Sequence, residues 1–232
     1  PASVGMTGPN RINFLLTGNK PSMGLIVKLQ IVLAAATALL SFSLHAAGVG
    51  SEQLHRFLTG ITTLEAKFEQ SVLNEEHTQA SRSQGIFYLE RPNKFRWDYS
   101  EPESQQLVAD GRQIWLYDPE LKQVSVQNQE SALQGSPAML LISGDPVENS
   151  FEVIDIGRRQ NMDWVELIPR DAESQFVRVL LAFVDNDLLR MEMADKLGQV
   201  TRFQFYDIHH NPSFKSTFFQ FVPPRDVDIY NQ

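Results

Sequence analysis

The amino-acid sequence predicts a mainly β protein, with about ten or eleven antiparallel strands in one curled sheet and a few short helices. Three observations carry this expectation. Apolar and polar residues alternate with a period of two through most of the chain after Gly60. Turn-forming groups punctuate the alternation: Arg91-Pro92-Asn93, Asp110-Gly111 and Asp118-Pro119-Glu120. The β pattern breaks only at 129–143, where Pro137 can open a short apolar helix made of Ala138, Met139, Leu140, Leu141 and Ile142.

The elements follow in order. Ser51 is placed as the cap of an amphipathic helix whose Leu54, Phe57, Leu58 and Ile61 fall at helical spacing. Strands are then expected at 62–76, 82–90, 94–100, 104–110, 112–118 and 121–127. Gly144-Asp145-Pro146 ends the internal helix, and strands resume at 150–158, 162–169, 175–185, 187–195 and 198–208. A last apolar stretch at 214–222 is expected to finish the sheet, closed by Val222-Pro223-Pro224. No repeat or linker divides residues 48–232, which read as one domain. A sheet this long must curl, and a barrel of more than about eight strands leaves a cavity. Ile86-Phe87-Tyr88-Leu89, Ile114-Trp115-Leu116-Tyr117 and the run 179–184 are apolar on both faces. Such strands either line a cavity on one face and are covered on the other, or belong to a thick core with helices outside.

Residues 1–47 are expected to stand apart from this fold. Lys28, the apolar run 29–44 and the small residues Ala46-Ala47-Gly48 make a secretory signal over 27–47. Residues 1–26 carry scattered Pro and Gly without periodicity and read as an extension upstream of a start at Met23 or Val27. The signal implies export to the periplasm.

Composition excludes several classes. The chain has no Cys, which removes disulfides, thiolate nucleophiles and Cys-ligated metal sites. It also removes the acylated Cys of a lipid-anchored lipoprotein. Without residues 1–46 the chain holds 17 basic and 28 acidic residues, a net of −11 that does not suit nucleic acid. His55, His77, His209 and His210 form no metal-binding motif, and His209-His210 reads as an exposed turn. There is no GxSxG, GxGxxG or GxxxxGK[ST] pattern. No cofactor and no catalysis are expected.

Two segments carry a resemblance. Gly85–Tyr99 (GIFYLERPNKFRWDY) matches a Gly-x-Phe-x-x-x-Arg-Pro-x-x-Phe-x-Trp strand pair, and Asp110–Pro119 (DGRQIWLYDP) matches an Asp-Gly-x-x-Ile-Trp-x-Tyr-Asp-Pro hairpin. In this order they resemble the outer-membrane lipoprotein carrier protein family, over about residues 48–230. Asn93 departs from the Gly that many members carry there, and the segment 129–143 aligns poorly.

The resemblance implies an incomplete, eleven-stranded antiparallel β-barrel with short α-helices forming a lid over an apolar cavity. It implies a monomeric periplasmic chaperone that uses no ATP of its own. Such a chaperone takes acylated lipoproteins from an inner-membrane ABC-type exporter and passes them to an outer-membrane receptor that is itself a lipoprotein. It makes Arg91 the lid latch. Phe95, Trp97, Trp115, Phe203 and Phe205 would line the acyl-chain cavity, and Met139, Leu140 and Ile142 would form the inner face of the lid. Tyr117 and Trp164 read as core packing. Rival readings are a single-domain periplasmic lipid sensor regulating an envelope signalling protein, a lipid hydrolase, and a structural envelope protein with a filled barrel.

Overall fold

The computed structural model describes residues 48–231 apart from His77, Gln134 and Gly135. These lie within one compact unit, Ala47–Gln232. The expected upstream extension (1–26) and signal peptide (27–47) fall outside the described residues.

The chain opens with helix α1 (Val49–Gly60). Six strands follow as an antiparallel meander: β1 (Thr63–Leu73), β2 (Gln79–Glu90), β3 (Lys94–Glu101), β4 (Gln105–Asp110), β5 (Gln113–Asp118) and β6 (Gln123–Asn128). Two short helices, α2 (Gln129–Leu133) and α3 (Pro137–Ile142), and a 3-10 turn at Val147–Asn149 lead to a second meander. It consists of β7 (Phe151–Arg159), β8 (Met162–Pro169), β9 (Phe176–Val184), β10 (Asp187–Asp195) and β11 (Val200–His210). The last strand is β12 (Asp228–Asn231).

All twelve strands form one sheet, in the order β12-β6-β5-β4-β3-β2-β1-β11-β10-β9-β8-β7. The outermost strands, β12 and β7, are not paired with each other, so the sheet is open. The segment between β6 and β7 joins strands from opposite flanks of the sheet. That topology carries α2 and α3 across the mouth.

The turns obey their residues. Asn93 (φ 66°) and Gly111 (φ 98°) take left-handed conformations in the β2–β3 and β4–β5 turns, where Asn and Gly are tolerated. Gly85 has a different duty. A Cβ there would stand 2.0 Å from the Asp98 carbonyl oxygen on β3, so only Gly allows the two strands to approach.

The core lies on the concave face. Leu64, Ala66 and Phe68 of β1, Phe87 and Leu89 of β2, and Phe95 and Trp97 of β3 point inward, with Val179, Leu181 and Phe183 of β9 and Phe203 and Phe205 of β11. Leu54 and Phe57 of α1 fill the space between the walls.

Three expectations are corrected. Residues 214–222 do not form a strand; they run as a strap over the convex face. Phe214 and Phe218 pack on Tyr88 with ring centroids 5.8 and 4.9 Å away, and Phe221 packs on Trp115 and Tyr117 at 5.6 and 5.7 Å. The sheet therefore does not close at Val222-Pro223-Pro224, and β12 adds to β6 in parallel. His209 and His210 are the last residues of β11, and the turn begins at Asn211. Finally, Gly48 caps α1, while Ser51 sits in the first turn with its N–H donating to Asp155 Oδ2 at 3.1 Å.

The strap also answers why strands were apolar on both faces. Strand alternation turns Phe87, Leu89 and Ile114 inward and Tyr88, Trp115 and Tyr117 outward. The chain's own C-terminal segment covers the outward set. On the other half, Met162, Trp164 and Ala182 make a small second cluster on the convex side, with Ile156, Leu180 and Leu189 around it.

Candidate functional site

The site is built where the β2–β3 turn meets the ends of two helices. The last carbonyls of a helix lack intrahelical partners and carry the negative end of its dipole. The ends of α1 and α3 both meet Arg91. Arg91 Nε donates to the Leu141 carbonyl of α3 at 2.8 Å, and Nη1 donates to the carbonyl oxygens of Phe57, at 3.1 Å, and Ile61. The guanidinium lies over the Phe57 ring, 5.1 Å from its centroid. The backbone assists: Arg91 N–H donates to the Thr62 carbonyl at 2.8 Å, and Asn93 N–H to the Ile142 carbonyl at 3.0 Å. Burial pulls the Arg91 pKa down to about 10, so the side chain remains charged at neutral pH.

Gln129, at the start of α2, makes a second bridge that sequence reading missed. Its side chain is buried. Its Nε2 donates to the Asn93 carbonyl at 2.7 Å, and its Oε1 accepts from Gly111 N–H at 2.9 Å. One amide thus joins the lid segment to two hairpin turns. Nothing in its sequence surroundings marks it, because its partners are backbone groups far along the chain. At the other end of the molecule, Gln53 of α1 donates to Asp163 Oδ2 at 2.6 Å and accepts from Asn186 N–H at 2.9 Å. Polar contacts therefore hold α1 at both ends, while its apolar side lies in the core.

Below these helices the wall is aromatic. Trp97 is ringed by Phe87, Phe203, Phe68 and Phe95, with centroid distances of 4.4, 5.0, 5.5 and 6.3 Å. Phe203 and Phe205 stack 6.1 Å apart, and Tyr99 packs edge-on to Phe68 at 5.2 Å. Tyr99 donates to Gln70 Oε1 at 2.9 Å, and burial pushes its pKa up to about 12. Leu140, Leu141 and Ile142 are buried in this same core, and Met139 packs against it.

The structure thus brings together Arg91, Phe95, Trp97, Met139, Leu140, Ile142, Phe203 and Phe205. It does not bring in Trp115. The register Val108–Trp115–Val126 puts that side chain on the convex face, under Phe221, with its Nε1 donating to Asp110 Oδ2 at 3.0 Å. The alternation that buries Ile114 inward forces Trp115 outward.

Beneath α1 the concave face is apolar and closed. Between Phe57, Leu64, Ala66, Phe87, Leu188, Phe205 and Ile208 the free space is about 10 Å³, no more than one water needs. The larger opening, of about 450 Å³, lies outside it. It runs between the lid and the end of the second meander and is lined by Met139, Leu140, Val147, Phe151 and Pro169, with Glu130, Asp145 and Arg170 also on its walls. An occupant of any size would need α1 or the lid to move. Among the described residues no helix is long and apolar enough to cross a membrane.

The chain is similar to known proteins in sequence and in fold. Residues 59–222 match the family model described as outer membrane lipoprotein carrier protein LolA. An outer-membrane lipoprotein carrier protein of Nitrosospira multiformis is 40% identical over 189 residues, covering 81% of this chain and 90% of the relative. One from Dechloromonas aromatica is 37% identical over 203 residues, covering 88% and 97%. The crystal structure of an uncharacterized conserved protein from Thermus thermophilus shares the fold, with a TM-score of 0.52 at 13% identity over 78% of this chain and 99% of that one.

Proposed function

The chain belongs to the outer membrane lipoprotein carrier protein family, and from that premise we propose that it carries lipoproteins across the periplasm with their acyl chains held against the concave face of the sheet. It is a lipoprotein chaperone of the carrier type; the family is one of carriers, and we read this member as having no catalytic step. In this reading an inner-membrane ABC-type exporter supplies the cargo and an outer-membrane receptor accepts it. Residues 27–47 would direct export.

The observation that carries the reading is the closure of an apolar, aromatic-lined face by few polar contacts. Each buried methylene contributes about 0.8 kcal/mol, so several acyl chains are effectively insoluble in water without cover. A carrier must also let go. Arg91 supplies a closing force of modest size, because its charge-assisted hydrogen bonds, about 1.5–3 kcal/mol each, are offset by the cost of burying the guanidinium. Empty, the interior collapses on its own Phe and Leu side chains. Loaded, acyl chains replace those contacts and the lid gives way. Transfer to a receptor then needs only a tighter apolar site, with no bond made or broken.

The test is release of an acylated lipoprotein from inner-membrane vesicles that contain an active exporter. With the protein present, cargo should appear in the supernatant in a one-to-one complex, and removal of the acyl chains should abolish that complex. Cargo that stays entirely with the pelleted vesicles would refute the carrier reading.

A further inference from the structure

Trp97 holds a hydrogen-bond donor that the closed fold does not use. The residue is 6% exposed, and its indole Nε1 is buried with no acceptor among the described residues. Buried indole N–H groups ordinarily find a partner. Trp115 and Trp164 do, at Asp110 Oδ2 and the Arg159 carbonyl. Around Trp97 the neighbours are instead the rings of Phe68, Phe87, Phe95 and Phe203.

A second observation starts from the same residue. Following the register across the sheet, Trp97 lies opposite Leu107, Leu107 opposite Leu116, Leu116 opposite Ser125, and Ser125 opposite Tyr230. Directly opposed residues share a face, so this row runs along the concave side from the core to the free edge. Leu107 packs against the core, whereas Leu116 is 42% exposed and Tyr230 49% exposed. Helix α3 ends at Arg91, whereas α2 packs at the ends of β5 and β6, and the row crosses these strands toward the free edge. A row that is apolar at Leu107 and Leu116, polar at Ser125 and open toward the edge therefore leaves the core at the residue whose donor is unpaired.

We infer that Trp97 is a carbonyl-binding residue of the acyl site: its Nε1–H donates to the ester carbonyl of a cargo acyl chain, whose hydrocarbon stays among the rings around Trp97 while its glyceryl head leaves along Leu107 and Leu116 toward the open edge. The inference rests on the lipoprotein-carrier reading and adds a chemical preference to it. A purely apolar site would hold any hydrocarbon chain equally. A site with a buried donor selects chains joined through a carbonyl, because a chain that lacks it leaves the donor unpaired.

The probes are two synthetic lipopeptides with the same S-glyceryl cysteine head, one bearing two palmitoyl esters and the other two hexadecyl ethers. The protein should bind the ester about tenfold more tightly than the ether, the size of one net hydrogen bond. Trp97→Phe, which keeps an aromatic ring and loses the donor, should abolish the ester preference, so that ester and ether bind with equal affinity whatever the change in overall binding. Leu116→Lys, at a half-exposed position, should weaken binding of both without altering thermal unfolding. Equal affinity of the unaltered protein for ester and ether overturns the inference, as does an ester preference that survives in Trp97→Phe. Failure of the unaltered protein to bind either lipopeptide would overturn the carrier reading along with it.

Discussion

The Nε–H of Arg91 donates to the carbonyl oxygen of Leu141 at 2.8 Å, and so ties the β2–β3 turn to the last turn of the lid helix. The same guanidinium reaches the carbonyls of Phe57 and Ile61 at the end of α1. One side chain therefore restrains both elements that cover the concave face.

Replacing Arg91 by Leu should shift the protein toward an open state. Three charge-assisted hydrogen bonds of about 1.5–3 kcal/mol each set the scale, offset in part because a buried charge is also removed. Cargo that binds only the open state then gains apparent affinity in proportion to the open fraction, by tenfold or more if about a tenth or less is open at rest. Acyl-lipopeptide titration should show tighter binding, and transfer to an acceptor should slow. Unchanged binding would remove Arg91 from the latch.

Gln129→Ala should destabilise the protein by about 1–3 kcal/mol, because Asn93 loses a donor to its carbonyl and Gly111 N–H loses its acceptor in a buried setting. Its effect should not add to that of Arg91→Leu, since both residues act through the turn at 91–93. Denaturant unfolding of the two single variants and the double variant measures this directly.

Gly85→Ala should be among the most damaging single-methyl additions in the chain. The new Cβ would fall 2.0 Å from the Asp98 carbonyl oxygen and 3.0 Å from the Phe68 ring. Strands β2 and β3 would have to part, at a cost of about 3 kcal/mol or more. Expression followed by fractionation should find the variant in the insoluble pellet.

Asp110 gives the β4–β5 turn a pH dependence. Burial alone would raise its pKa, but hydrogen bonds from Gln113 N–H, Trp115 Nε1 and Arg112 N–H outweigh it and hold the carboxyl below its ordinary value. A depressed carboxylate stabilises the fold at pH values above its unfolded pKa and loses that contribution as pH falls through the folded value. Asp110→Asn should therefore melt earlier than the unaltered protein at pH 7. The two melting temperatures should converge as the pH falls below the ordinary aspartate value. A gap that is constant from pH 7 to pH 3 would show that the charge plays no part.

The sequence foretold the meander well, because alternation and turn residues are local properties. Eleven strands lie within a few residues of where the pattern put them. The Gly-x-Phe-x-x-x-Arg-Pro motif was legible as a resemblance, and the structure supplies its physical reason: Gly85 permits the strand approach and Arg91 meets the carbonyls. What failed was anything decided by distant backbone. Residues 214–222 are as apolar as a strand, but Phe218 and Phe219 are adjacent rather than alternating, and they serve a convex surface already present. Trp115 was misplaced because an aromatic strand residue does not declare which face it serves until register fixes Ile114 inward. Gln129 and Asp155 were missed because their partners lie far along the chain.

The short strand β12 has a consequence for life at high concentration. An open sheet has a bare flank on each side, and a bare flank invites pairing with another molecule. Here one flank ends in only four residues, all exposed, running parallel to β6 and beginning with the charge of Asp228. So short a border offers another chain few backbone groups to pair with, while the nine residues of β7 on the opposite flank offer more. When molecules crowd together, edge-to-edge recruitment is therefore expected at β7 and not at β12.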